Sequence, residues 1–516
     1  MSEDRRVEDH FRGRVVFLTG VTGFIGQVTF EKLLRSLSCV QRIYVLARDG
    51  KGKKARQRVD DIIAGPLFAR FRELSHSTSI LEKVVVLVGD VATPQLGLSP
   101  EDWKRLVDET NIVLHFAASV RFMEPLRIAY NVNLGGSRRV LELCLAMKNL
   151  ERVHPLSAAE EDAIHEAVKT MDDEQLVAEV PKLLAGRPNI YMVIKALTET
   201  MLDREARAHA LPLVITRPSI VICTHCDPFA GWATGMSGAL GVYACTAKGL
   251  LTDIPGRTST RIDHIPVDMV AHLTLAAVAH NARRADRLAT PLVVHCTSVP
   301  LNPPNGQMLA DLPGVFFQTY PCATLYGVPS LRWHSSRAVY EFFAFIKHTV
   351  PAFFIDGLLR LAGRKPMLAL TYQKINTMVS AGCETTLHEL VFETRQLVHI
   401  FESMCDEDKM IFQFDVRRID WSTELFNLML CVRTYTLRES LDTVPEGRRA
   451  LRRAYVLSYA VHLLLLLGLT ALVVSLASVP LSIWVIGSLL LGVAIAAPMA
   501  PMKTLDLCPK SAGSAA

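Results

Sequence analysis

The chain has 516 residues, 50% hydrophobic and 21% charged, a composition that can bury a large core and excludes disorder as the dominant state. Its 56 Lys and Arg against 51 Asp and Glu leave a net charge of only +5, with no unopposed basic field for a nucleic-acid partner. Eleven scattered cysteines are too sparse for a disulfide scaffold and read as free thiols in a reducing compartment.

In chain order, the opening Met-Ser-Glu-Asp-Arg-Arg has no apolar segment of a signal peptide, so the bulk of the chain is expected to stay where it is made. The first predicted strand, Val15–Leu18, runs into Thr19-Gly-Val-Thr-Gly-Phe-Ile-Gly26, and a helical pattern follows (Val28, Phe30, Leu33, Leu34). Strand, glycine turn and helix form the context of a dinucleotide fingerprint: the glycines let backbone N–H groups approach a pyrophosphate, and the helix N-terminus adds a favourable partial charge. Gly20, Thr22, Gly23, Phe24, Ile25 and Gly26 are the candidate contacts.

The second predicted strand, Ile43–Ala47, ends at Arg48, with Lys51, Lys53, Lys54, Arg56 and Arg58 following against one nearby Asp49. A guanidinium here matches a 2′-phosphate, so the expected cofactor is NADPH. The third strand, Val84–Val88, ends in Gly89-Asp90-Val91, placing Asp90 and Val91 near the adenine. The fourth, Ile112–Phe116, ends in Ala117-Ala118-Ser119, small residues that let a cofactor lie close. Alternating strands and helices imply an α/β fold with a doubly wound parallel sheet of the Rossmann type.

Tyr191 and Lys195 follow at i, i+4, on one face of a helix. A lysine ammonium beside a phenol favours the phenolate and lowers its pKa, and the tyrosine can protonate an alkoxide as hydride arrives at the carbonyl carbon. Arg217-Pro218-Ser219-Ile220-Val221 lies downstream, with Pro218 and Ile220 as further cofactor contacts. Cys223-Thr-His-Cys226 has no second cysteine pair at zinc spacing and reads as a loop. The 16 histidines form no His-Glu-x-x-His array; His115 and His264 read as packing or loop residues, and no metal site is expected.

From Ala454 to Met502, 49 residues carry no Asp, Glu, Lys or Arg. That exceeds the ~20 needed to cross a bilayer. The pattern reads either as two spans, Tyr455–Val474 and Ser482–Pro498, broken near Pro480, or as one tilted span with an embedded segment. Arg448, Arg449, Arg452 and Arg453 would hold the preceding flank in the cytosol.

Together these segments resemble the extended short-chain dehydrogenase/reductase superfamily, and more closely the fatty acyl-CoA reductases that make fatty alcohols. The matching stretches are Phe17–Gly26, Pro66-Leu-Phe with Arg70, Gly89-Asp90 with Leu96-Gly-Leu-Ser, Ala117 through Arg127, Asn131-Val-Asn-Leu-Gly135, Met171-Asp-Asp173, Arg187 through Tyr191, Lys195-Ala-Leu, Arg217–Val221 and Ile265-Pro-Val-Asp268. Glu402-Ser-Met with Asp408, Phe412 through Asp415, Arg418-Ile-Asp-Trp421 and Arg433-Thr-Tyr435 resemble that family's C-terminal helical domain. The resemblance implies a long-chain acyl-CoA substrate, two NADPH, two hydride transfers with an aldehyde between them, and a product for ether-lipid or wax synthesis. Tyr191 and Lys195 are then the catalytic candidates.

One departure stands out. The family carries a strand ending in His-Val-Ser-Thr-Ala-Tyr, whose serine hydrogen-bonds the substrate carbonyl. Here Met147-Lys-Asn-Leu-Glu151 runs almost directly into Val153-His-Pro-Leu-Ser157. The Ser-bearing strand is missing, and Ser157, beyond a proline and before an acidic run, is a poor substitute. Its loss would leave unpaired backbone or re-pair the sheet. The chain is then a truncated form of an active enzyme or a degenerate cofactor-binding paralogue. Ile222 stands where the family has glycine. A sterol dehydrogenase or sugar epimerase of the same superfamily is the other alternative, and the helical C-terminal match argues against it.

The expected organisation is a reductase domain at 11–275, a substrate-cleft portion at 276–340 with a returning strand Pro291–His295, a helical domain at 365–440 and transmembrane segments at 454–502. The chain would sit in an intracellular membrane, contacting membrane lipid, with its catalytic bulk in the cytosol. The peroxisome is the first expectation and the endoplasmic reticulum the second. The final Ser-Ala-Ala is no Ser-Lys-Leu address, so the tail would direct it. Homo-oligomerisation is left open.

Overall fold

The computed structural model describes residues 6–50, 52–121, 124–147, 168, 170–172, 175 and 189–477. In chain order its strands are β1 Val15–Thr19, β2 Arg42–Ala47, β3 Val84–Val88, β4 Ile112–His115, β5 Val214–Pro218, β6 Ile220–Ile222, β7 Asp253–Pro255, β8 His264–Pro266, β9 Leu292–Cys296 and β10 Arg332–His334. The described residues form two units. The first gathers Met1–Ser237, Asp263–Pro303 and Leu390–Ile419; the second gathers Gly238–Ile262, Pro304–Glu389 and Asp420–Ala516.

The first unit holds a parallel sheet in the order β3-β2-β1-β4, the opening half of a dinucleotide-binding sheet. β1 is buried throughout and β2 at every residue after Arg42. Strands covered on both faces read as unbroken apolar runs, which is why both were visible in the sequence. Val15 and Phe17 point the same way from β1 and pack with Tyr44, Leu46, Leu87, Leu106, Val140 and Leu143. Two further parallel pairs, β5–β9 and β6–β8, complete this unit's strands among the described residues. β9, assigned from sequence to a separate substrate-cleft portion, thus pairs with β5, which the same reading placed in the domain before it.

Among the described residues β4 ends its sheet, and β5 pairs with β9 alone. No described strand lies between them. Ser157 and the rest of 148–167 lie outside the described residues.

The helix Phe24–Ser36 packs on the helix Val267–Arg283 around a buried group of charges. Lys32 Nζ lies 2.6 Å from Asp227 Oδ2, Arg35 Nη2 lies 2.6 Å from Asp227 Oδ1, and His272 Nε2 lies 2.9 Å from Asp227 Oδ2. Glu31 accepts from Arg35 Nε at 2.6 Å. Lys32 also donates to the Ile411 carbonyl at 2.5 Å, and His272 Nδ1 sits 2.8 Å from that of Gln413. The network therefore fastens the segment Leu390–Ile419 to the rest of the first unit. Burial pushes the Glu31 carboxyl up and the Lys32 ammonium down. Burial would also raise Asp227, but the His272 hydrogen bond and the charges of Lys32 and Arg35 outweigh it and hold that carboxyl far below the usual range.

In the second unit β7 pairs with β10, and the rest is helical. Arg433 is fully buried. Its guanidinium donates to the carbonyl oxygens of Pro321 at 3.0 Å and Ser440 at 2.9 Å and to the Thr443 hydroxyl at 2.8 Å. A helix then runs unbroken over Val444–Ala477. The Arg448–Arg453 stretch, read from sequence as the basic flank before the apolar tail, is part of it. A Cβ on Gly447 would overlap the Pro321 carbonyl, and the Tyr455 hydroxyl donates to Gln318 Oε1 at 3.0 Å. The second predicted span, Ser482–Pro498, lies outside the described residues. A separate helical run, Arg337–Leu361, has the length and mean hydropathy (25 residues, 1.4) of a span.

Asp227→Asn keeps the shape of the carboxylate and removes its charge, leaving Lys32 buried without its bonded carboxylate and Arg35 with Glu31 alone. The expected loss is about 3–5 kcal/mol, read as a lowered midpoint of thermal unfolding, against under ~0.5 kcal/mol for Asp60→Asn at an exposed pair. Equal effects would show that the network is dispensable. Because the Asp227 carboxyl is depressed, its contribution is present above the ordinary carboxylate pKa of ~3.9 and fades as pH falls below it.

Candidate active site

The loops that leave the C-terminal ends of β1, β2, β3 and β4 carry most of the candidate residues, the edge at which open α/β sheets bind ligands. After β1, Gly20 adopts φ +77, and a Cβ on it would sit 2.5 Å from the Ala117 nitrogen. The Gly23 N–H donates to the Gly20 carbonyl at 2.8 Å, and Gly23 is the residue before the helix Phe24–Ser36, with no side chain capping it and no acid in the first turn. A Cβ on Gly26 would overlap the Gly20 carbonyl. Only glycine closes this turn, and it leaves the helix N-terminus free of competing side chains. Thr22 is exposed, while Phe24 and Ile25 are half-buried on the first helical turn. This backbone cradle fits the pyrophosphate of a dinucleotide.

After β2 and β3 the structure brings Arg48 and Asp90 together: Arg48 Nη1 lies 3.1 Å from Asp90 Oδ2, with the arginine side chain 68% exposed. Asp90 also accepts from the Ala92 N–H at 3.0 Å. The Arg58 guanidinium donates to the Arg48 carbonyl at 2.5 Å, and Lys54 is spent on Asp49 at 3.0 Å. Lys51 lies outside the described residues.

Three residues to which the sequence alone assigned no role set these loops. Arg139 donates to the Val91 carbonyl at 2.9 Å and to Asn131 Oδ1 at 2.7 Å. Asn131 donates to the Ala92 carbonyl at 3.2 Å. Asn133 accepts the Ser119 N–H at 2.7 Å and donates back to the Ser119 carbonyl at 3.0 Å. Ala117 and Ala118 are held between this clamp and β1. The Asn-x-Asn spacing before Gly135 was the available signal.

Tyr191 and Lys195 stand one turn apart on the helix Ile190–Ala208, which Asn189 caps by accepting the Met192 N–H at 3.0 Å. Lys195 Nζ lies 5.8 Å from the Tyr191 ring centre. The expectation that Lys195 lowers the Tyr191 pKa is not met. Burial raises it, and the Glu199 carboxylate raises it further. Burial likewise lowers the Lys195 pKa, partly offset by Glu199. Glu199, a further turn along the same face, is itself held by Arg217 Nε at 2.8 Å, and Arg217 Nη1 sits 3.2 Å from His295 Nε2. The lysine thus answers to a carboxylate as well as to the phenol.

His115, read from sequence as packing, closes β4 with both ring nitrogens engaged. Nδ1 lies 2.7 Å from Thr19 Oγ1 and Nε2 lies 3.2 Å from Ser137 Oγ. Burial and the Lys195 charge lower its pKa to about 4, so the ring is neutral at physiological pH.

Pro218 and Ile220 lie on the separate pairs β5–β9 and β6–β8. Between them Ser219 Oγ donates to Asp263 Oδ1 at 2.7 Å, and the Ser298 N–H donates to the same oxygen at 2.9 Å. Ile222 is fully buried in β6. The loop at Cys223–Cys226 hangs on Asp268, whose carboxylate accepts the N–H groups of His225, Cys226 and Asp227 at 2.9 Å each. That gives the aspartate of the Ile-Pro-Val-Asp segment a structural role.

Family models described as male sterility protein match residues 18–274 and, separately, residues 347–439. The chain is 29% identical to fatty acyl-CoA reductase 1 of Rattus norvegicus, over 93% of this chain and 95% of the relative. It is 30% identical to fatty acyl-CoA reductase 1 of Gallus gallus, with the same coverage. It is 30% identical to fatty acyl-CoA reductase 2 of Homo sapiens over 92% of this chain and 94% of that one. Among solved structures, the terminal R domain of the myxalamid PKS-NRPS pathway shares the fold, with a TM-score of 0.53 at 15% identity over 83% of this chain and 93% of that one.

Gly26→Ala forces the turn open, because the added methyl has only the Gly20 backbone to meet. The affinity for a reduced nicotinamide dinucleotide should fall at least about tenfold, ~1.4 kcal/mol, in a fluorescence titration with the circular dichroism spectrum unchanged. An unaltered affinity would show that this turn does not hold the cofactor.

Proposed function

We propose that this chain, which belongs to the fatty acyl-CoA reductase family, reduces a long-chain acyl-CoA to the fatty alcohol with two NADPH. It is an NAD(P)-dependent reductase. The observation that carries the finer reading is the Tyr191–Lys195–Glu199 face beside His115, in the unit that holds the glycine cradle. A bound reduced nicotinamide supplies hydride to the acyl carbon. Tyr191, kept protonated by burial, donates its phenolic proton to the oxygen that becomes negative. Lys195 steadies the phenolate left behind and would hold the nicotinamide ribose, while Glu199 partly offsets the burial that lowers the lysine's pKa. In the first reduction the oxygen gives up its negative charge by re-forming the carbonyl, expelling the CoA thiolate, which takes up the proton, and leaving the aldehyde; in the second, with a second NADPH, the Tyr191 proton stays on the oxygen and gives the alcohol. Binding energy from the long acyl chain positions the thioester, so short chains should turn over poorly.

Arg48 supports the choice of NADPH. Its guanidinium is exposed beyond β2 and engages a carboxylate, the charge type a 2′-phosphate presents in stronger form. The apolar stretch 454–502 is proposed to anchor the chain in a peroxisomal membrane, or in the endoplasmic reticulum, with the catalytic bulk in the cytosol. The alcohol then enters ether-lipid or wax synthesis.

A second reading, a cofactor-binding protein with little turnover, is favoured by one observation. Among the described residues both β4 and β5 stand at sheet ends, where the family's Ser-bearing strand would supply a donor to the substrate carbonyl. Loss of one such donor slows turnover by about 10²–10³.

Tyr191→Phe removes only the proton. It should abolish alcohol formation from a long-chain acyl-CoA while NADPH affinity is retained, whereas Arg48→Asp should weaken NADPH far more than NADH. Equal loss for both cofactors would reduce Arg48 to part of a basic loop. Alcohol production that survives Tyr191→Phe would overturn the assignment of the donor. If the chain makes neither aldehyde nor alcohol even with a Ser-bearing strand restored after Glu151, the second reading holds.

Anchoring by the tail predicts that the full chain stays in the membrane pellet through a carbonate wash; release into the supernatant would exclude it.

A further inference from the structure

Residues 337–361 form one continuous helical run, with a π-helical turn at Phe345–Thr349. Its buried residues recur at every fourth position: Tyr340, Ala344, His348, Ala352 and Asp356. That stripe is bound into the second unit. Beside it, Lys347 Nζ lies 2.8 Å from Asp253 Oδ2. The His348 ring stacks on Tyr372 with centres 5.1 Å apart. Asp356 accepts the N–H groups of Met367, Leu368 and Ala369 at 2.9–3.0 Å, capping the helix Leu368–Leu387.

The remaining surface is apolar and open. Phe342, Phe345, Phe353, Phe354 and Leu361 are exposed, Phe354 at 70% and Leu361 at 87%, and Met367 and Leu370 continue the patch. A contiguous face of large apolar side chains marks an interaction surface. Its flank is cationic: Arg360, Arg364, Lys365 and Lys374 are all exposed. The two acidic residues of 337–374 are engaged, Glu341 with Arg337 at 3.0 Å and Asp356 with the backbone it caps.

We propose that this face docks the second unit on an anionic lipid bilayer, the helix lying in the plane of the interface with its phenylalanines among the acyl chains and its basic flank among the headgroups. A spanning helix must be apolar on all sides, and this one has a buried stripe ending in Asp356. Apolar residues on one side and cations at the flank are the pattern of an interfacial helix on negatively charged lipid. A second copy of the chain would bring four further cations against these four. The inference is separate from the tail reading: the tail decides whether the chain stays with a membrane, this face how the second unit lies against it.

The test reconstitutes the full chain into vesicles of phosphatidylcholine, with and without phosphatidylserine, made from acyl-brominated lipid or its unbrominated counterpart. Phe354→Trp places a reporter ring in the patch, and His76→Trp places one in an exposed turn of the first unit as an aqueous reference. Brominated lipid should quench the added fluorescence at 354 several-fold more than at 76, most strongly with phosphatidylserine. Arg364→Glu with Lys365→Glu should reduce that quenching on phosphatidylserine vesicles only. Quenching at 354 no greater than at 76 overturns the proposal. A blue-shifted but unquenched ring at 354 assigns the face to a second copy and overturns it equally. Failure of the tail shows differently, as a chain that does not sediment with phosphatidylcholine vesicles; quenching at 354 on phosphatidylserine vesicles would then still support the docking face.

Discussion

Five charged or ionisable side chains that meet at Asp227 hold the first unit together. Lys32, Arg35 and Glu31 come from the helix that opens at the glycine turn, His272 from the helix Val267–Arg283, and Asp227 from the loop after β6. Two carbonyls of the segment Leu390–Ile419 join them. A buried cluster of this kind contributes little net stability over an apolar equivalent, but removing one member leaves the others uncompensated. Its work is therefore positional. The helix that follows the glycine turn is gripped at its far end by groups from three separate stretches of chain.

The same logic recurs nearer the chemistry. Arg139, Asn131 and Asn133 spend their hydrogen bonds on the carbonyls and N–H groups of the loops after β3 and β4, Asp263 does so for the turn after β9, and Asp268 for the loop after β6. Each polar side chain fixes backbone rather than meeting a ligand. The residues proposed to meet one, Arg48 and the Tyr191–Lys195 pair, stand on loops and a helix that are already set. Preorganisation of this sort lowers the ordering cost that binding would otherwise carry.

How much of this was legible depended on sequence distance. β1, the glycine turn and the helix after it are local, and the unbroken apolar strands announced a sheet covered on both faces. The Tyr191–Lys195 spacing gave a shared helix face. What the spacing did not give was the sign of the pKa shift, because burial and Glu199 outweigh the neighbouring ammonium. The Asp227 cluster was out of reach: Lys32 and Asp227 are 195 positions apart, and a charged residue in an amphipathic helix reads as solvent-facing until its partners are known. Likewise, the apolar character of 337–361 is plain in the sequence, but which of its phenylalanines face outward is settled only by the stripe at 340, 344, 348, 352 and 356.

The grip of Arg433 on Pro321, Ser440 and Thr443 has a mechanical meaning. The helix Val444–Ala477 begins at the next residue, with Gly447 pressed against Pro321 and Tyr455 tied to Gln318. A flexible leash would let an attached body swivel and sample a wide volume. This helix leaves no slack: it is a strut, cast in one piece with the unit it grows from. Whatever takes hold of its apolar length also fixes the attitude of that unit.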